Sequence, residues 1–220
     1  MEECLWALGA TVVYGAFHSL LAALGIKAWF VGAFGRRAYE GLYRLFFNAV
    51  GTISLLPVLI VVAAHPGGMV WHVKAPLSYG LLGLQAVGLI GAMVSLLQID
   101  TMRLLGLSQF GAWQNGKPLP LPEEPLQTGG LYALVRHPLY FFGLLLLWPS
   151  PIMTTGMLGL YLGMTFYVIV GSLLEEQKLA RGFGQPYVDY RARVAWMIPY
   201  VRLGPKATKP AINVGESLQE

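Results

Sequence analysis

Apolar runs long enough to cross a bilayer punctuate the chain, and they constrain its fold more than any motif does. A hydrocarbon core about 30 Å thick takes roughly 20 apolar residues in helical conformation. Only helices and closed barrels satisfy every backbone N–H and C=O away from water. Such runs lie at about 4–24, 42–64, 77–98, 138–149 and 152–174. Composition agrees: 12% of the 220 residues are charged, against about 25% in ordinary soluble proteins. The expected architecture is all-α and integral to a membrane, with about five transmembrane helices in a single domain over residues 1–200. The polar tail at 201–220 is expected to be disordered.

The last two runs are one apolar stretch, 138–174, broken by Trp148-Pro149-Ser150-Pro151. Proline removes a backbone donor and clashes with the preceding turn, so a tight helical hairpin is expected. Its fourth helix is short unless residues 131–135 lengthen it. Segments 99–133 and 175–200 are too polar to span.

The basic residues set the orientation. The four connections and the C-terminal tail hold in turn four, one, three, none and seven Lys or Arg, so fourteen of the fifteen fall on one side. The first, third and fifth segments are therefore expected to be cytoplasmic, with the N-terminus outside and the C-terminus inside. This alternation also accounts for the net charge of +4 without a nucleic-acid partner, since the basic residues form no single stripe. A lone cysteine, Cys4, excludes an internal disulfide framework. Glu2 and Glu3 replace the basic start of a signal peptide. His18, His65, His72 and His137 lack metal-ligand spacing, and no phosphate-cradling glycine loop is present. Gly80, Gly83, Gly88 and Gly91, and then Gly156, Gly159 and Gly163, are spaced for close helix contact.

Three clusters carry chemistry. Arg136, His137 and Pro138 open the fourth run; proline suits the first helical turn, and a helix N-terminus beside an arginine favours an anion. An interfacial anchor, with the arginine snorkelling, explains the same residues. Glu175 and Glu176 sit near the C-terminal end of the fifth run, where the helix dipole disfavours carboxylates. Antiparallel helices bring them level with Arg136 and His137. Ionisable groups at such a position default to a functional reading, and a structural Arg136–Glu175 bridge is the alternative. Tyr187, Tyr190, Arg191 and Val194 share a helical face. By spacing alone they read most simply as an interfacial helix, or else as a lid whose aromatics wall a cofactor site.

Together, "GGLYALVRHPLY" and "EEQKLARGFGQPYVDYRARVAWMIP" resemble the membrane-embedded isoprenylcysteine carboxyl methyltransferase superfamily. The pattern falls on Gly130, Tyr132, Arg136, His137, Pro138, Tyr140, Glu175, Glu176, Leu179, Phe183, Gly184, Tyr187, Tyr190, Ile198 and Pro199. "FHSLLA", "IDTMRLLGLSQF", "NGKPLPLP" and "WPSPIMTTG" extend the likeness to its methanethiol S-methyltransferase branch.

The resemblance implies S-adenosyl-L-methionine bound on the cytoplasmic side under the C-terminal segment, with a small or lipophilic acceptor, most simply a thiol, arriving from the bilayer. It implies cofactor contacts from His137 and Tyr140, with Arg136 near the cofactor carboxylate. Glu175 and Glu176 would take its ammonium or ribose hydroxyls, and residues 128–132 would line the adenosine. Arg103 and His137 are the implied catalytic residues, stabilising a thiolate. No metal and no obligate protein partner are implied. Methylation of an isoprenoid carboxylate or a phospholipid amine, a nicotinamide-dependent membrane reductase and a non-catalytic accessory protein are the competing readings.

Overall fold

The computed structural model describes residues 1–200; the tail expected to be disordered lies outside the described residues. The chain runs α1 (Glu2–Leu21), α2 (Leu24–Phe34), α3 (Arg36–Ala64), β1 (Met69–His72), α4 (Leu77–Leu97), α5 (Thr101–Leu105) and α6 (Leu107–Gln114). A 3-10 turn at Gly130–Ala133 then leads into α7 (Pro138–Leu147), β2 (Ile152–Thr154), α8 (Thr155–Phe183) and α9 (Gln185–Arg193). Among the described residues α1, α3, α4 and α8 are long and apolar enough to cross a membrane, while α2 and α7 are shorter apolar helices. The protein is an all-α, multi-pass membrane protein.

Two features differ from the sequence reading. The first connection contains α2, an 11-residue apolar helix. Phe30, its buried residue, packs 5.0 Å from Tyr43 of α3, ring centre to ring centre. The second difference is at the prolines, where an extended segment replaces the tight hairpin. β2 pairs antiparallel with β1, His72 opposite Ile152. The Val73 N–H donates to Pro151 O at 2.8 Å, and the Trp71 indole donates to Ser150 O at 2.9 Å. Carbonyls that a proline-broken helix would orphan therefore find donors in a segment distant in sequence. Residues 131–135 do not lengthen α7, because Val135 bridges to Ala195 instead.

Small residues decide how closely the helices pack. Gly156, Gly159 and Gly163 of α8 lie against α3's end and α1. Gly88 and Gly91 of α4 admit α7, whereas Gly80 and Gly83 have nothing near them. A Cβ on Gly88 would come 2.5 Å from Leu146 N, a backbone atom that cannot swing aside. Gly88→Ala is therefore expected to destabilise the fold by about 1–3 kcal/mol, the usual cost of overpacking. Gly83→Ala should be close to neutral, and thermal unfolding of the two variants in detergent checks the contrast.

Candidate active site

The site is assembled where α7 begins. Pro138 occupies the first turn of α7 with His137 as the N-cap, and the chain just before it is clamped by the C-terminal segment. Arg136 N–H donates to Ala195 O at 2.8 Å, and His137 N–H to Trp196 O at 3.2 Å. On the other side, α4 holds the approach: Gln98 accepts from the Leu131 N–H at 2.9 Å through its side-chain oxygen. Gly130 turns there with φ +59°, and a Cβ would collide with the Gln98 amide. Its place in the motif is thus explained by backbone conformation.

The Arg136 side chain is held by partners within the protein. It is 1% exposed, with Nε 2.6 Å from Glu176 Oε1, and Nη1 donates to the carbonyls of Arg191 (3.0 Å) and Val194 (2.8 Å). Arg136 thus ties α7, α8 and the segment after α9 together, and the structural bridge runs to Glu176 rather than Glu175. Neither arginine nor Glu176, whose side chain is 9% exposed, presents a free edge for a cofactor.

Glu175 does. Its side chain is 45% exposed and accepts from the Tyr140 hydroxyl at 2.9 Å. His137 sits between the two carboxylates, Nδ1 3.6 Å from Glu175 Oε2 and Nε2 3.4 Å from Glu176 Oε1. Its ring stacks on Tyr140 at 5.4 Å. Burial works against the imidazolium, but the two glutamates outweigh it and hold the pKa above the ordinary histidine range. A group with a raised folded pKa contributes stability that is complete below its unfolded value, about 6.5, and is lost as pH rises through the folded value. The melting temperature should accordingly fall as pH rises above about 6.5, and His137→Gln should flatten that slope.

These groups line a cavity of about 330 Å³ together with Tyr132, Tyr187, Tyr190 and Arg44. The hydroxyl of Tyr190 donates to Tyr132 O at 2.6 Å, pinning α9 onto the 3-10 turn. Tyr187 and Tyr190 are 1% and 3% exposed, so they wall the cavity and do not face outward as an interfacial anchor would. Burial raises both hydroxyls well above the ordinary phenol range, and burial together with Glu175 does the same for Tyr132. Both effects favour the neutral phenol, and Tyr190 donates from it to Tyr132 O. Tyr187 OH is buried without a hydrogen-bond partner among the described residues.

Of the residues singled out by sequence, Tyr132, Arg136, His137, Tyr140, Glu175, Tyr187 and Tyr190 line this cavity. Arg103 does not join them. It pairs with Glu124 at 3.3 Å, donates to the carbonyls of Leu121 and Pro122, and faces a second cavity. Arg44 belongs to the site and was missed, since its position in the sequence marks only membrane orientation. Among the described residues no cluster of metal-ligating side chains occurs.

Comparison with known proteins places this geometry. The chain is 32% identical over 190 residues to the methanethiol S-methyltransferase of Pseudomonas sp. (strain GM41(2012)), covering 85% of this chain and 70% of that protein. It is 30% identical over 190 residues to the enzyme of that name from Mycobacterium tuberculosis (strain ATCC 25618 / H37Rv), covering 86% and 75%. Nurim of Homo sapiens is 30% identical over 181 residues, covering 79% and 67%. No protein-family model and no solved structure matches. At this identity over most of both proteins, the chain belongs to the isoprenylcysteine carboxyl methyltransferase-like family of membrane methyltransferases.

Proposed function

We propose that this protein transfers a methyl group from S-adenosylmethionine to the sulfur of a small or lipophilic thiol at the cytoplasmic face of the membrane. The observation that carries the reading is Glu175, a carboxylate oriented by Tyr140 and left half-exposed in a cavity that also presents Arg44. An amino-acid end group needs both charges. In this reading Glu175 takes the ammonium and Arg44 the carboxylate, while the unpartnered Tyr187 hydroxyl and Tyr132 serve the nucleoside. The volume of about 330 Å³ falls within the range of small-molecule sites, about 300–1,000 Å³. When bound, the cofactor supplies an electrophilic methyl group on a sulfonium.

The chain's own contribution is positioning and exclusion of water. Alignment of nucleophile and leaving group supplies much of the barrier reduction in a displacement, and a dry site favours the loss of opposite charges as thiolate meets sulfonium. The two glutamates favour the charged form of His137, and in this reading its role is to orient Glu175 and not to accept the thiol proton. The thiol enters neutral, and its proton is released to solvent at the half-exposed side of the cavity beside Glu175 as the sulfur attacks. An apolar groove of about 320 Å³ between α7 and α8 shares Leu139 and Tyr140 with the cofactor cavity and continues past Gly143 to Met164 and Val168. It gives an uncharged or lipophilic acceptor a route from the bilayer.

The test is turnover of the detergent-purified chain with S-adenosylmethionine and a thiol series beginning at methanethiol, with dimethyl sulfide as the first product sought. Arg44→Met should raise KM for the cofactor at least tenfold, the loss of one charge-assisted hydrogen bond of about 1.5–3 kcal/mol. Cofactor binding without methylation of any thiol would refute the acceptor assignment. Absence of cofactor binding would refute the whole reading.

A further inference from the structure

The second cavity, about 430 Å³, is built differently from the first. Lys27 of α2, Arg44 of α3, Arg103 of α5 and Lys178 of α8 converge on it from four separate helices. Glu40, the acid on its wall, is held by Arg36 at 2.8 Å, and Arg103 is partly neutralised by Glu124. Lys27, Arg44 and Lys178 have no carboxylate within ion-pair distance among the described residues. Burial, then Lys178 and Arg44, push the Lys27 ammonium below the usual lysine range, as like charges facing one space must.

The wall on the α2 side identifies the occupant. Phe30 points inward, while Leu24, Trp29 and Phe34 are 82%, 63% and 60% exposed. Lys27 lies three residues before Phe30 and shares its inner face. α2 is a short apolar helix that follows directly on the end of the membrane-crossing α1, with exposed apolar residues on its outside and Lys27 lining the cavity. The ends of membrane-crossing helices lie near the headgroups, so the cavity opens beside a region that lipid headgroups reach. Basic pockets between membrane helices bind anionic headgroups.

We propose that this second cavity binds the phosphate of an anionic phospholipid, whose acyl chains pass over the outer face of α2. The second cavity is separate from the first, although the two share Arg44 on their walls. A phosphate here would relieve the mutual repulsion of the lysines and lock α2 against α3 and α8.

The experiment compares phosphatidylglycerol with phosphatidylcholine by native mass spectrometry of the detergent-purified full chain, with inorganic phosphate as a competitor. Phosphatidylglycerol should be retained at least tenfold more tightly. That preference should vanish in Lys27→Ala/Lys178→Ala and survive in Lys27→Arg/Lys178→Arg. Without lipid, the alanine variant should melt close to the wild type, because neither lysine holds an ion pair among the described residues. Displacement by equimolar inorganic phosphate would keep the phosphate site and reassign its source to a soluble ester. Equal retention of both lipids, or a preference that persists in the alanine variant, would overturn the proposal. Neither readout depends on whether the cofactor binds.

Discussion

Glu175→Ala is expected to weaken binding of S-adenosylhomocysteine on the order of 100-fold, about 2.7 kcal/mol, while lowering the melting temperature far less than Glu176→Ala does. The carboxylate is half-exposed, and its partners within the protein are the hydroxyl of Tyr140 and, at 3.6 Å, the His137 ring, which keeps Glu176 as its second carboxylate. Hydrogen bonds to a charged group contribute about 1.5–3 kcal/mol each, and an ammonium in this cavity would use the full carboxylate. Calorimetric titration of wild type and variant measures the ratio. Undiminished affinity in the variant would remove Glu175 from the cofactor site and with it the main support for the methyltransferase mechanism.

The neighbouring residue should behave in the opposite way. Glu176→Ala leaves Arg136 buried with no carboxylate at 2.6 Å, and breaking a buried pair from one side costs about 3–5 kcal/mol. Total stabilities are of order 5–15 kcal/mol, so the variant should melt far below the wild type and express poorly. Arg136→Ala should do the same. Replacing both with methionine should recover most of the loss, because a well-packed apolar pair often matches a buried ion pair. Thermal unfolding of the three variants decides this. A mild effect of the single changes with a large effect on cofactor affinity would return Arg136 and Glu176 to direct ligand contact.

Adjacent glutamates with such different roles show where sequence reasoning stops. The pairing of the glutamates with "RHP" was legible, because an antiparallel arrangement sets both at one level. Which glutamate faces the arginine depends on a rotation of about 100° between successive helical residues, and apolar periodicity on α8 does not settle it. Four membrane-crossing helices were legible from the length of their apolar runs, and the contacts of Gly88, Gly91, Gly156, Gly159 and Gly163 from their spacing, whereas Gly80 and Gly83 share the spacing and touch nothing. The β1–β2 pair was not, since its hydrogen bonds join segments about 80 residues apart around prolines. Arg44 and Arg103 illustrate the same limit. Arg103 resembled a family residue in local sequence yet faces the second cavity, whereas Arg44 carried no motif and lines both.

The shortness of α7 bears on the surrounding membrane as well as on the protein. Ten helical residues rise only about 15 Å, half of a hydrocarbon core near 30 Å, and the chain continues beyond Leu147 as extended backbone. Lipids bordering α7 meet a wall whose helical part ends early, and hydrophobic mismatch of this kind is relieved by local thinning or by tilting. Acyl-chain length thus becomes a control variable. In bilayers of short-chain lipids the groove between α7 and α8 sits closer to the headgroups. A water-borne thiol then crosses less hydrocarbon to reach Tyr140, so its turnover should be higher in thin membranes than in thick ones.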